Sequence, residues 1–176
     1  MTSPALRPVV AALSAFALSA CVDSAAPILN DAKPLLGATF RAQLYGLDKG
    51  VARDPVQATY VWDGAHYAHA AGAMDDIKAY TVHPFEHGDL IVQSVAERPD
   101  SHTEYALMHR LTDGVYLVTP VDEDDADAAT RAANCHGGGK FSCHVETQAE
   151  LFALARASAA KHKDAGGLVI RLPDRD

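Results

Sequence analysis

Residues 103–121 have the sequence TEYALMHRLTDGVYLVTPV, in which Asp113 and Gly114 separate two runs rich in strand-forming residues. An Asp-Gly pair supplies the backbone angles that a tight hairpin turn requires. Aliphatic, aromatic and β-branched residues on both sides of such a turn favour extended strands. The stretch therefore predicts an antiparallel hairpin, the clearest one in the chain, and makes an antiparallel sheet the expected framework.

Segments of the same kind lie on both sides of this hairpin. Residues 57–62 alternate in polarity, and Asp63-Gly64 then marks a second hairpin turn before residues 65–70. Further strands are predicted over residues 40–47, 79–82, 90–96 and 168–172. The aromatic residues of these strands are predicted to be core, with a ligand pocket as the alternative; they are Tyr60, Trp62, Tyr67, Tyr105 and Tyr116.

Two helices are predicted after Val121. Acidic residues 122–127 precede an alanine-rich run ending at Asn134, and acidic side chains at a helix start are favoured by the helix dipole. Residues 147–163 predict the second helix, because Thr147 and Glu150 fit a capping box. One face of that helix is predicted to consist of Leu151, Leu154, Ala155 and Ser158.

Strands that come first and helices that come last indicate an α+β fold. We expect an antiparallel sheet of about six strands with two C-terminal helices packed on one face. The strand at 168–172 is expected to return to this sheet at an edge. The alternative is a β-sandwich or barrel with helical additions.

The N-terminal residues indicate export. A polar start with one basic residue, Arg7, precedes an apolar run over 9–20. A membrane-spanning helix needs about twenty apolar residues, so this run is too short and fits a cleavable signal better. The run ends in Leu18-Ser19-Ala20-Cys21.

Leu18-Ser19-Ala20-Cys21 resembles the lipobox of bacterial lipoproteins, and the resemblance covers the leader and Cys21 only. It implies cleavage before Cys21, a diacylglycerol on the Cys21 thiol and attachment to the membrane through that lipid. The expected location is the bacterial cell envelope, facing the periplasm. Val22 stands where an Asp would favour inner-membrane retention, so the outer membrane is slightly favoured. An ordinary secretory signal is the alternative.

The expected organisation is a signal peptide at 1–20, a lipidated Cys and tether at 21–36, and one α+β domain at 37–176. Cys135 and Cys143 form an even pair, which in an oxidising compartment predicts a disulfide. A loop this short contributes about 2.5 kcal/mol in the chain-entropy model. With both thiols oxidised, neither cysteine can ligate a metal.

Composition and motifs narrow the functional classes. The formal net charge of −8 and the lack of a basic patch argue against a nucleic-acid partner. The sequence carries no Gly-x-Ser-x-Gly elbow, no His-Glu-x-x-His and no Gly-rich phosphate loop. We therefore expect a non-catalytic binding or interaction module without a cofactor, whose partner is an envelope protein or a small ligand. An enzyme with convergent Ser, His and Asp is a less favoured reading.

Nine histidines make a metal site worth weighing. His83 and His87 flank a turn and can converge, while His136 and His144 each follow a cysteine. Adjacent residues seldom share one zinc ion, which counts against His136 and His144 acting together with their neighbouring cysteines. All four histidines are weak candidates, and no metal site is predicted. The alternative function is a metal-binding or metal-responsive envelope protein.

Overall fold

The computed structural model describes residues 22–48, 51–53, 55–72, 79–95, 102–137, 143–161 and 166–173. The predicted leader, its lipobox and Cys21 lie outside these ranges. Among the described residues, no helix has the length and apolar character needed to cross a membrane.

The described residues form eleven strands and two α-helices. The strands are β1 (Val22–Ser24), β2 (Thr39–Asp48), β3 (Val51–Ala52), β4 (Val56–Trp62), β5 (Tyr67–Gly72), β6 (Ala79–Pro84), β7 (Leu90–Ser94), β8 (Thr103–Thr112), β9 (Val115–Pro120), β10 (Cys143–His144) and β11 (Gly167–Arg171). The helices are α1 (Ala128–Asn134) and α2 (Gln148–Lys161), and short 3-10 turns occupy Glu86–Gly88 and Glu123–Asp125.

Eight of the strands close into an antiparallel barrel in the order β2-β4-β5-β6-β7-β8-β9-β11. The ring closes because β11 pairs with two strands at once. Val169 lies opposite Tyr116 of β9 on one side and opposite Leu44 of β2 on the other. Closure gives each of these eight strands a hydrogen-bonded neighbour on both sides.

The predicted open sheet of about six strands with helices on one face is therefore wrong, and the barrel with helical additions describes the architecture. The physical reason lies in β11. Alternation along a strand shows which side chains face the core, but it does not show which strands become neighbours. An apolar C-terminal strand fits an edge or a closing position equally well, and the pairing of β11 with both β2 and β9 decides between them.

The turns predicted at Asp113-Gly114 and at Asp63-Gly64 are both present. Asp113 and Gly114 join β8 to β9, with Gly114 at a φ of 74°. Residues 63–66 join β4 to β5, so the return strand begins two residues later than predicted. Gly64 has a φ of 105°, and the Asp63 carboxylate accepts hydrogen bonds from the backbone N–H groups of Ala65 and His66. In both turns the glycine adopts the positive φ, a conformation that costs other residues more.

The interior of the barrel is packed with its own side chains. Tyr60, Tyr67 and Tyr80 are buried there, and the ring centroids of Tyr60 and Tyr80 lie 4.8 Å apart. Burial raises the pKa of Tyr60 to about 12, so its phenol stays neutral at physiological pH. The remaining buried members of this inner core are Leu36, Phe40, Ala42, Leu44, Ala58, Val82, Ala106, Met108, Val118 and Val169.

A second core lies outside the barrel, between one wall and the helices. Leu107 of β8 faces outward, and it belongs to the same buried cluster as Leu151 and Leu154 of α2. The predicted face of α2 is confirmed, since Leu151, Leu154, Ala155 and Ser158 are its buried residues. The capping box is confirmed too, because the Glu150 carboxylate accepts from the Thr147 N–H while the Thr147 hydroxyl accepts from the Glu150 N–H.

The segment expected to be a tether packs onto the domain. Val22 is fully buried within β1, and β1 pairs with β8 on one side and β10 on the other. Leu29 and Leu36 are also buried, and the backbone N–H of Leu29 donates to the Gln93 side chain at 3.0 Å. Residues 22–36 are thus part of the folded unit.

Candidate functional site

Two strands, β1 and β10, and the residue just before β8 bring one carboxylate and two imidazoles together. In the parallel pairing of β1 with β10, Asp23 lies opposite His144. In the antiparallel pairing of β1 with β8, Asp23 lies opposite Glu104. Alternate residues share a face of a strand, so His102, two residues before Glu104, lies on the same side. We call Asp23, His102 and His144 the His–Asp–His cluster.

The cluster is closely spaced. Asp23 Oδ2 accepts a hydrogen bond from His102 Nδ1 at 2.8 Å, and Asp23 Oδ1 accepts one from His144 Nδ1 at 2.8 Å. The two imidazole centroids lie 6.0 Å apart. One ligand-type atom from each of the three residues lies within 4.8 Å of the other two. Such a set can hold a cation or remain a hydrogen-bonded unit.

Solvent reaches the cluster from one side. The Asp23 and His144 side chains are 19% and 27% exposed, whereas that of His102 is 56% exposed. Glu104 stands beside the cluster, and burial together with the Asp23 charge raises the pKa of its carboxyl. Two acidic side chains next to two imidazoles create a local environment that attracts cations.

Covalent and backbone bonds hold β10 in this position. The predicted disulfide between Cys135 and Cys143 is present, and Cys143 immediately precedes His144. The His136 N–H donates to the His144 carbonyl at 2.8 Å, and the Val145 N–H donates to the Asp23 carbonyl at 2.8 Å. The first two bonds tie β10 to residues 135–136, and the third ties it directly to Asp23 on β1.

Of the four weak metal candidates, only His144 belongs to the cluster. His136 turns to α2, where its Nε2 lies 2.7 Å from Glu150 Oε1. That contact raises the pKa of His136 and helps to lower the pKa of Glu150 to about 2. The His136 ring is therefore committed to the start of α2.

His83 and His87 do not form a site with each other. His83 is buried on the outer barrel wall, its Nε2 lies 2.8 Å from Thr81 Oγ1, and burial lowers its pKa. His87 is exposed in the 3-10 turn, with a φ of 57°. Among the described residues, neither joins a group of three His, Cys, Asp or Glu side chains with ligand atoms in mutual reach.

Sequence reasoning missed Asp23 and His102. Asp23 lies 79 residues from His102 and 121 residues from His144, so no local spacing connects them. The predicted tether over residues 21–36 includes Asp23, so the sequence does not predict that Asp23 belongs to a site within the domain. Alternation at the start of β8 was the one available indication, because it places His102 and Glu104 on a common polar face.

A cleft opens elsewhere, between residues 29–35, the end of β6 and the start of α2. Its volume is about 420 Å³. Leu35 is 44% exposed there, while Phe152 packs edge-on against Phe85 with 5.2 Å between ring centroids. The other lining residues are Leu29, Asn30, Asp31, Lys33, Val82, His83, Pro84 and Gln148. The cleft is mixed in polarity and faces solvent.

No family model, no curated protein and no solved structure matches this chain. Function therefore has to be argued from the side chains themselves. Two features outside the barrel interior qualify as binding surfaces: the His–Asp–His cluster and the cleft beside α2.

Proposed function

We propose that this protein is a lipid-anchored component of the bacterial cell envelope, attached through Cys21, whose barrel domain is a non-catalytic module that binds another envelope protein. The lipobox-like Leu18-Ser19-Ala20-Cys21 supports the anchor. Two or more acyl chains hold a protein stably, because each buried methylene contributes about 0.8 kcal/mol. The body then works close to the membrane surface, since β1 begins at Val22, directly after the lipidated residue.

The observation that supports the binding role is that the barrel interior is filled by side chains whereas a cleft is open on its outside. The barrel interior is occupied by packed side chains such as Tyr60, Tyr67 and Tyr80, so it serves as a scaffold. The cleft beside α2 lies on the outside and presents Leu35 and Phe152 next to charged Asp31 and Lys33. A surface with an apolar centre and a polar rim matches the anatomy of protein–protein contact surfaces.

Metabolic labelling with palmitate tests the anchor. We expect the wild-type protein to take up label and to fractionate with membranes, and Cys21→Ala to lose both properties. The double variant Cys135→Ala/Cys143→Ala is the control, because it removes the two other cysteines, which form a disulfide and are not lipidated under the proposal. Equal labelling of wild type and Cys21→Ala, or no label in wild type, would contradict the proposal.

Photo-crosslinking in intact cells tests the binding surface. A photoreactive amino acid at Leu35 is expected to give a discrete protein adduct, because this side chain projects into the cleft while remaining 44% exposed. The same group at Leu111, which is 50% exposed at the end of β8, is the control for accidental encounters. Adducts of equal yield at both positions, or none at Leu35, would rule out the cleft as the contact surface.

A further inference from the structure

We infer that Asp23, His102 and His144 form a binding site for one divalent transition-metal ion of the zinc type. The donor set is two imidazole nitrogens and one carboxylate oxygen. Imidazole suits Zn²⁺, Cu²⁺ and Ni²⁺, whereas Mg²⁺ and Ca²⁺ prefer sites made only of oxygen. Three protein ligands with an open fourth position is an arrangement that zinc commonly adopts.

The spacing of the donor atoms fits one ion. Zinc binds nitrogen and oxygen at about 2.0–2.2 Å, which separates the ligand atoms of a tetrahedral site by about 3.3 Å. In the cluster, each Nδ1 lies 2.8 Å from an Asp23 oxygen, and the whole set spans no more than 4.8 Å. The required separation falls between these values. Small side-chain rotations, with the proton on each Nδ1 released to solvent or moved to Nε2, therefore convert the hydrogen-bonded unit into a coordination shell.

The backbone holds the ligands in place before any ion arrives. Asp23 and His144 are paired across β1 and β10, and Thr103, next to His102, is paired with Ser24. The disulfide at Cys143 restrains the short strand that carries His144. Ligands on paired strands lose little conformational entropy on binding, and this pre-organisation favours affinity.

A second histidine distinguishes this cluster from ordinary surface contacts. His66 and Asp63 also form a histidine–carboxylate pair, with 3.2 Å between Nε2 and Oδ2. Among the described residues, no third ligand side chain joins that pair, whereas two imidazoles converge on Asp23. His66 is therefore a matched control. The cluster lies within the folded domain and requires neither a lipid on Cys21 nor an occupant of the cleft.

Isothermal titration of Zn²⁺ into the full-length protein, purified in detergent without a polyhistidine tag and with its disulfide intact, tests the site. We expect one equivalent to bind. His102→Ala and His144→Ala should each weaken binding by about tenfold or more, since losing even an outer-sphere partner of a metal ligand costs about 10–100-fold. His66→Ala should bind as wild type does, and Mg²⁺ and Ca²⁺ should not compete.

Thermal unfolding separates loss of the site from loss of the fold. His102 is 56% exposed, so His102→Ala should unfold at the wild-type temperature without metal. Zn²⁺ should raise the unfolding temperature of wild type but not of His102→Ala, because a ligand that binds only the native state stabilises it. Absence of stoichiometric Zn²⁺ binding, or equal affinities of His102→Ala and His66→Ala, would overturn the assignment and leave the cluster as a hydrogen-bonded unit.

Discussion

Replacing Tyr67 with alanine is expected to lower the free energy of unfolding by about 3–5 kcal/mol, the range seen when a large aromatic side chain is removed from a core. Tyr67 is fully buried inside the barrel. Its ring centroid lies 5.3 Å from that of Trp62 and 5.6 Å from that of Tyr80. Removing the ring leaves a cavity between β4, β5 and β6. Urea unfolding followed by circular dichroism measures the effect.

Tyr67→Phe separates packing from hydrogen bonding. The Tyr67 hydroxyl accepts from the Leu36 N–H at 2.8 Å and donates to the Gly37 carbonyl at 2.9 Å. Phenylalanine keeps the ring but leaves the buried Leu36 N–H unpaired, at an expected cost of about 1–3 kcal/mol. Equal losses in Tyr67→Phe and Tyr67→Ala would show that the ring contributes nothing, contrary to the inner core described above.

Leu154→Ala is expected to lower the free energy of unfolding by about 2–5 kcal/mol, because the Leu154 side chain is completely buried in the core between α2 and the barrel. This core joins α2 to the outward face of the barrel through Ile91 and Leu107, and it also includes Cys143. Loss of Leu154 should therefore loosen α2 and, with it, the support of β10. Denaturant unfolding gives the magnitude, and hydrogen exchange at Val145 reports on the strand.

Arg156→Ala on the same helix is the matched control. The Arg156 guanidinium pairs with Glu86 at 2.8 Å, and both side chains are largely exposed. Exposed ion pairs contribute about 0–1 kcal/mol, so this variant should remain near wild-type stability. If Leu154→Ala were no more destabilising than Arg156→Ala, the packing of α2 against the barrel would not contribute to stability.

Much of the local structure could be predicted because its causes are local. Asp113-Gly114 forms a turn because glycine adopts the positive φ that the turn requires. Thr147 and Glu150, which are only three residues apart, cap the start of α2. Burial along α2 follows from helical periodicity. In each case the interacting residues lie within a few positions of one another, so a short stretch of sequence is enough to predict the structure.

Closure of the barrel and assembly of the cluster depend on contacts between distant residues. β11 joins β2 across more than a hundred residues, as in the pairing of Leu168 with Tyr45. Asp23 meets His102 and His144 only because β1 is inserted beside β8 and β10. Periodicity assigned faces to these residues, but partner choice and register arise from the packing of the whole domain.

The position of β11 determines when the barrel can close. β11 follows all the other strands of the described residues, yet it supplies the seam between β9 and β2. A nascent polypeptide that has not yet released residues 167–171 cannot complete the ring, and long-range strand pairing of this kind forms slowly. The barrel therefore closes late, after nearly all of the described chain has been synthesised, and the strands made earlier wait for their last partner.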